Sequence, residues 1–209
     1  MQREATVFVV DDDEAARVML QFLLGSVGLG SEGFTSAQKF LDHYDPDRPG
    51  CLLLDVRMPG MSGLELQSRL ACQGSKLPII LLTGHADVPM AVHAVRAGAF
   101  DFLEKPTNDQ VLLDRVQQAI ALDRTQRLHQ AAYDGIIRRL ASLTAKEREV
   151  MDRVVAGKAN RQIAAELGVS VKAIEARRAN VMSKMEAQSV ADLVRMTIAA
   201  SAPEDPQAD

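Results

Sequence analysis

The sequence predicts an α/β fold, a doubly wound five-stranded parallel sheet, followed by a small all-α domain. Three observations carry this expectation. Over the first 120 of 209 residues, short apolar runs alternate five times with segments of helical periodicity. Polar residues stand at or just past the ends of four of these runs: Asp11 and Asp12, Asp55, Thr83 and Lys105. Beyond Thr144 the strand-like runs stop, and short helical segments broken by glycine take over.

Taken in order, the strand candidates are 5–10, 30–34, 50–54, 78–82 and 100–104, read as short strands covered on both faces. The segments between them place apolar residues three and four apart, as Val18, Leu20, Leu23, Leu24 and Val27 do. Gly28, Gly30, Gly60, Gly63, Gly74, Gly84 and Gly98 mark the boundaries. From Asp109 a helical pattern runs through Val111, Leu112, Val116 and Ile120. Residues 122–141 are polar and charged, with Leu128, Ile136, Ile137 and Leu140 near helical spacing and Gly135 weakening the stretch. They are expected to extend the preceding helix and then serve as a linker. Thr144-Ala145-Lys146-Glu147 is a capping box that opens the second domain. Gly157 and Gly168 break the helices that follow, and Ser170 is placed to cap the next one. The tail 201–209, with Pro203, Pro206 and three acids, is expected to be disordered. The division is therefore 1–121, a helical linker 122–141, a domain 142–200 and the tail.

The net charge of −4 conceals a split. Residues 1–121 carry 10 Lys/Arg against 16 Asp/Glu, a balance of −6, whereas 141–200 carry 10 against 7, a balance of +3. An acidic half suits a cation site and a basic half suits an anionic partner. Cys51 and Cys72 lack C-x-x-C spacing and are expected to be reduced, buried or half-buried thiols. No charged-then-apolar pattern of a signal segment is read at the start, so none is expected, and no apolar run approaches the ~20 residues that span a bilayer. A cytoplasmic protein without membrane contact is expected.

If the runs are parallel strands, the five polar side chains meet at the carboxyl edge of the sheet, where open α/β folds bind ligands. Three crowded carboxylates call for a divalent cation, and a hydroxyl and an ammonium beside them suit a phosphoryl group. Asp55 is then the candidate for phosphorylation. Leu54-Asp55-Val56-Arg57-Met58-Pro59-Gly60-Met61-Ser62-Gly63, Thr83-Gly84-His85-Ala86-Asp87-Val88-Pro89-Met90 and Glu104-Lys105-Pro106 carry a resemblance. Residues 5–121 resemble the flavodoxin-like receiver domain of response regulators, and the whole chain is similar to two-component regulators of the FixJ/NarL type.

The resemblance implies that Asp55 accepts phosphoryl from a sensor histidine kinase. It also implies that Asp11, Asp12, Asp55 and the backbone carbonyl of Arg57 bind Mg²⁺. Lys105 would neutralise charge, Thr83 would donate to the phosphoryl group, and Phe102 would rotate as Thr83 moves inward. It further implies a cis Lys105–Pro106 bond, and that Arg57 and His85 tune the phosphoryl lifetime. Asp13, a third consecutive acid, is better read as opening the following helix. Thr107 stands where many relatives have an aromatic.

The segment from Gly157 to Glu175 resembles a LuxR-type helix-turn-helix. Ile163, Ala164 and Leu167 would be buried by its scaffold helix, Gly168 would turn the chain, and Val169 and Ile174 would lock the second helix. Lys158, Asn160, Arg161, Gln162, Lys172, Arg177 and Arg178 are candidate phosphate contacts on double-stranded DNA. Glu175, Ala176 and Ala179 fall where relatives read base edges. Arg177 and Arg178 could serve either role. Val190, Leu193, Val194 and Met196 form an apolar stripe on the last helix, used in relatives for a homodimer or simply packed within the domain.

The expected function is a transcription regulator controlled by phosphorylation of Asp55, not an enzyme. An aspartyl-phosphate phosphatase is disfavoured, because the second acid it needs two residues after the nucleophile is replaced by Arg57. A constitutive DNA binder whose first domain only dimerises leaves the complete set of five polar residues unexplained.

Overall fold

The computed structural model describes residues 4–84 and 88–201. Two compact units divide the chain, Met1–Arg127 and Leu128–Asp209. The first alternates β1 (Thr6–Val10), α1 (Glu14–Ser26), β2 (Gly30–Phe34), α2 (Ala37–His43), β3 (Gly50–Asp55), α3 (Gly63–Cys72), β4 (Ile79–Thr83), α4 (Val88–Arg96), β5 (Asp101–Glu104) and the start of α5 (Asp109–Ala141). All strand pairs are parallel, in the order β2-β1-β3-β4-β5. The sheet is thus doubly wound, as expected. β3 is buried along its whole length, whereas β2 is an edge strand of sequence Gly-Ser-Glu-Gly-Phe that buries only Phe34.

Each face of the sheet carries its own core. Phe8, Val10, Leu52, Leu54 and Leu81 pack on Phe40, Leu66, Leu70 and Ala94 from α2, α3 and α4. Val7, Val9, Leu53, Ile80 and Leu82 pack on Leu20, Leu24, Leu112 and Val116 from α1 and α5. Successive strand residues alternate between these two layers, as the pleat requires. Cys51 is fully buried, its thiol pushed up to about 12 by burial and by nearby Asp123. Cys72 is exposed, not half-buried as expected, because it lies on the last turn of α3.

Two close approaches fix the strand ends. A Cβ on Gly63 would lie 2.2 Å from the Asp55 carbonyl oxygen, so glycine lets α3 begin directly against the end of β3. At the opposite end Gly50 has φ +152°, and a Cβ there would meet the Thr6 carbonyl oxygen at 1.8 Å. The Gly50 N–H donates to Asp123 Oδ2 of α5 at 2.9 Å. Asp123 is buried and also accepts from Arg127 Nε, while Arg127 Nη2 donates to the carbonyls of Pro46 and Arg48. Nothing in the sequence pattern announced this network.

α5 continues as one helix through Gly135 to Ala141, crossing the boundary between the units. The second unit adds α6 (Ala145–Val155), α7 (Asn160–Leu167), α8 (Val171–Met185) and α9 (Val190–Ser201). Thr144 and Glu147 form the expected capping box, Gly168 ends α7 at φ 65°, and Ser170 Oγ accepts from the Ala173 N–H. Val150, Met151, Val154, Ile163, Ala164, Ile174, Val181, Met185 and Leu193 make the core, with Leu167 and Val169 packed against it. Val190 and Met196 also turn inward onto this core, so most of the α9 stripe serves packing within the unit. The expected disorder of the tail falls on residues 202–209, outside the described residues.

Candidate phosphoacceptor site and DNA-reading helices

Asp11 directly follows β1, and its N–H still pairs with the Phe34 carbonyl at 3.2 Å. Its side chain therefore points inward, and the residue is almost fully buried. Asp55 ends β3 on the neighbouring strand and is 8% exposed. Lys105, just past β5, reaches back to both: its Nζ donates at 2.6 Å to Asp11 Oδ2 and at 2.6 Å to Asp55 Oδ1. The remaining carboxylate oxygens accept backbone donors, Asp11 Oδ1 from the Asp13 N–H at 2.9 Å and Asp55 Oδ2 from the Arg57 N–H at 2.8 Å. Thr83 ends β4 beside this cluster and is buried. Phe102 is half-buried on β5, packed against the core layer that contains Leu81 and Ala94.

Sequence reading placed three carboxylates in one cluster; the structure gathers two. Asp12 is exposed, because successive residues at a strand end face opposite ways. Among the described residues, no three His, Cys, Asp or Glu side chains stand close enough together to hold a metal ion. Asp13 caps α1, its Oδ1 accepting from the Ala15 and Ala16 N–H groups. The Lys105–Pro106 peptide is cis, as expected. His85 lies outside the described residues, and the Arg57 side chain is exposed.

Burial raises the Asp55 carboxyl above the usual carboxylate range, even though the Lys105 ammonium pulls it down. For Lys105, burial opposes the charged form, but the hydrogen bonds it donates to Asp11 and Asp55, with their negative charge, prevail and its pKa is raised. Two carboxylates face one ammonium, so the cluster retains unbalanced negative charge in a partly dehydrated place. All its anionic donors are hard oxygens. That chemistry fits a divalent cation of the magnesium class.

In the second unit, Arg161, Lys172, Glu175, Ala176 and Ala179 are exposed on α7 and α8. Five other candidates are less free than the sequence suggested. Lys158 Nζ is 2.6 Å from Glu166 Oε1, and Arg153 Nε reaches the other oxygen of Glu166 at 3.1 Å. Gln162 Oε1 accepts the Ala159 N–H at 3.0 Å and so closes the start of α7, where Ala159 has no acceptor of its own. Asn160 Oδ1 accepts from Arg178 Nη1 at 3.0 Å. Arg177 and Arg178 are half-buried, not on an exposed face, because they lie on either side of the stripe that buries Ile174 and Val181.

Residues 7–117 match the response regulator receiver domain, and residues 141–197 match the bacterial regulatory proteins of the luxR family. The chain belongs to the response regulators. The transcriptional regulatory protein FixJ of Bradyrhizobium diazoefficiens is 44% identical over 200 residues, covering 96% of this chain and 98% of that protein. FixJ of Azorhizobium caulinodans is 45% identical over 206 residues, 98% of either chain. Among solved structures, the response regulator StyR superposes with a TM-score of 0.89 at 42% identity, covering 93% of this chain and 98% of that one. Full-length FixJ from B. japonicum gives 0.57 at 44% identity, covering 95% and 98%. This response regulator thus couples a receiver domain to a LuxR-type DNA-binding domain, homologous to two-component regulators of the FixJ/NarL type. The receiver implies a sensor kinase as partner and the output domain implies DNA. Among the described residues, no helix is long and apolar enough to cross a membrane.

Proposed function

We propose that Asp55 is the phosphoacceptor of this response regulator and that its phosphorylation controls binding of operator DNA by α7 and α8. The observation that carries the reading is Lys105 Nζ held 2.6 Å from both Asp11 and Asp55 at the carboxyl edge of the sheet. An Asp55 oxygen attacks the phosphorus of a phosphohistidine on the sensor kinase. The P–N bond breaks, the imidazole keeps the electron pair and takes up a proton, and an acyl phosphate forms on Asp55. Lys105 then changes partner from carboxylate to phosphoryl oxygen, and Thr83 supplies a hydroxyl donor.

Asp11, Asp55 and the backbone carbonyl of Arg57 are the groups that would hold Mg²⁺, with Asp12 adding charge at the rim. When bound, the ion neutralises charge on the transferred oxygens. As Thr83 turns toward the phosphoryl group, half-buried Phe102 takes the space it leaves. The face formed by α4, β5 and α5 is thereby remodelled and favours a homodimer. Two output domains then engage paired half-sites, raising avidity without new contacts. Glu175, Ala176 and Ala179 read base edges, while Arg161 and Lys172 reach phosphates. A cytoplasmic location accords with a kinase and chromosomal DNA as partners.

The test is operator binding by the full chain with and without a small phosphodonor. Wild type should gain affinity and oligomerise while Asp55→Asn does neither. An equal response by both proteins overturns the reading.

A further inference from the structure

Arg178 could contact either a base or the DNA backbone as far as sequence is concerned, and its surroundings decide between the two. At about 100° per residue around a helix, Arg178 lies roughly 40° from Ile174, 60° from Val181 and 20° from Met185 on α8. Those three are fully buried or nearly so. Glu175, Ala176 and Ala179 lie roughly 60°, 160° and 100° from Arg178, on the side away from Val181, and all three are exposed where Arg178 is half-buried. The Arg178 stem therefore lies in the seam where α8 packs on α7, and its guanidinium emerges at the first residue of α7, where Asn160 Oδ1 holds Nη1 at 3.0 Å.

We infer that Asn160 and Arg178 form one preorganised phosphate clamp, with Asn160 as the positioning residue and Arg178 as a contact to the DNA backbone, not to a base. The inference rests on the reading of α7 and α8 as the DNA-binding helices. A neutral amide is the partner this role needs. It fixes the plane of the guanidinium yet leaves its charge unneutralised and its other N–H groups available to an anion. The contrast with Lys158 is informative. That cation is paired with the carboxylate of Glu166, so part of its charge is already balanced within the protein.

The test measures affinity of the phosphodonor-treated full chain for two labelled duplexes, one of mixed sequence and one selected from a random library by this protein. Arg178→Ala should weaken binding about tenfold on both duplexes and lower the slope of log K against log salt by about 1. Asn160→Ala should act in the same direction by about threefold, and the double variant should be no worse than Arg178→Ala. Arg178→Lys keeps the charge and the buried stem, so it should retain the salt slope but not the coupling to Asn160. Melting temperatures of all variants separate these effects from misfolding. Loss confined to the selected duplex would make Arg178 a base reader and overturn the inference, as would additive effects of the two alanine variants. Retained wild-type affinity with none of these losses would refute the clamp while sparing the DNA-binding reading. Failure of wild type to bind either duplex would bring down that reading and the clamp with it.

Discussion

Asp55 is held in a place that suits it poorly as a bare carboxylate, and this has a consequence for stability. Its pKa is raised by burial despite Lys105, so ionised Asp55 costs folding free energy once the pH rises above the usual carboxylate range. Asparagine at this position removes that charge but has a single acceptor oxygen where Asp55 uses two, so it cannot accept from both Lys105 and the Arg57 N–H. In chelator, wild type should therefore gain stability relative to Asp55→Asn as the pH falls through the range where Asp55 protonates. A scan of melting temperature against pH checks this. Lys105→Met removes the opposite charge. It leaves Asp11 and Asp55 facing one another without a cation, a cost of about 3 kcal/mol for breaking a buried ion pair. Millimolar Mg²⁺ should restore more stability to Lys105→Met than to wild type, because the ion then replaces the missing ammonium. Thermal melts unchanged by Mg²⁺ in both proteins would show that these carboxylates do not bind it.

Single elements are anchored by side chains whose protonation can be followed. Glu147 completes the capping box at the start of α6 and also accepts from Lys184 of α8 at 2.7 Å. Its carboxyl is pulled down to about 2, chiefly by Lys184 and then by the Thr144 N–H. A depressed pKa supports the fold above about 4.5, the ordinary glutamate value, and that support fades as the pH falls toward 2. Wild type should outlast Glu147→Ala in melts at neutral pH, and the two should converge in acid. Gly63→Ala tests a steric constraint, since its Cβ would sit 2.2 Å from the Asp55 carbonyl oxygen. It should destabilise the receiver by more than about 2 kcal/mol in denaturant titrations and slow phosphorylation by displacing Asp55.

The same elements show what sequence makes legible. Strand ends and caps were readable because apolar runs and capping boxes are local patterns, and Asp11, Asp55 and Lys105 converge once those runs pair in parallel. The exposure of Asp12 was not legible, because alternation at a strand end depends on how far the ladder continues. The partners of Lys158 and Arg178 were not legible: Glu166 is brought back by the fold of the chain into α7, and Asn160 is met only where α8 packs on α7. No spacing rule gives that.

For the molecule as a whole, the two halves differ in charge, −6 over residues 1–121 of the receiver and +3 over residues 141–200 of the output domain. Binding of any duplex should therefore fall steeply with salt, while phosphorylation by a neutral-leaving donor should vary little with it; parallel titrations of both reactions check the contrast. At the base of the receiver, the carboxylate of Asp123 takes an amide hydrogen from the first residue of the central strand, 73 residues earlier in the chain. That proton is consequently a natural reporter of whether the long helix is seated. In amide exchange, Gly50 should stay protected as long as α5 remains docked, and in Asp123→Ala it alone of the central strand should exchange quickly before global unfolding begins.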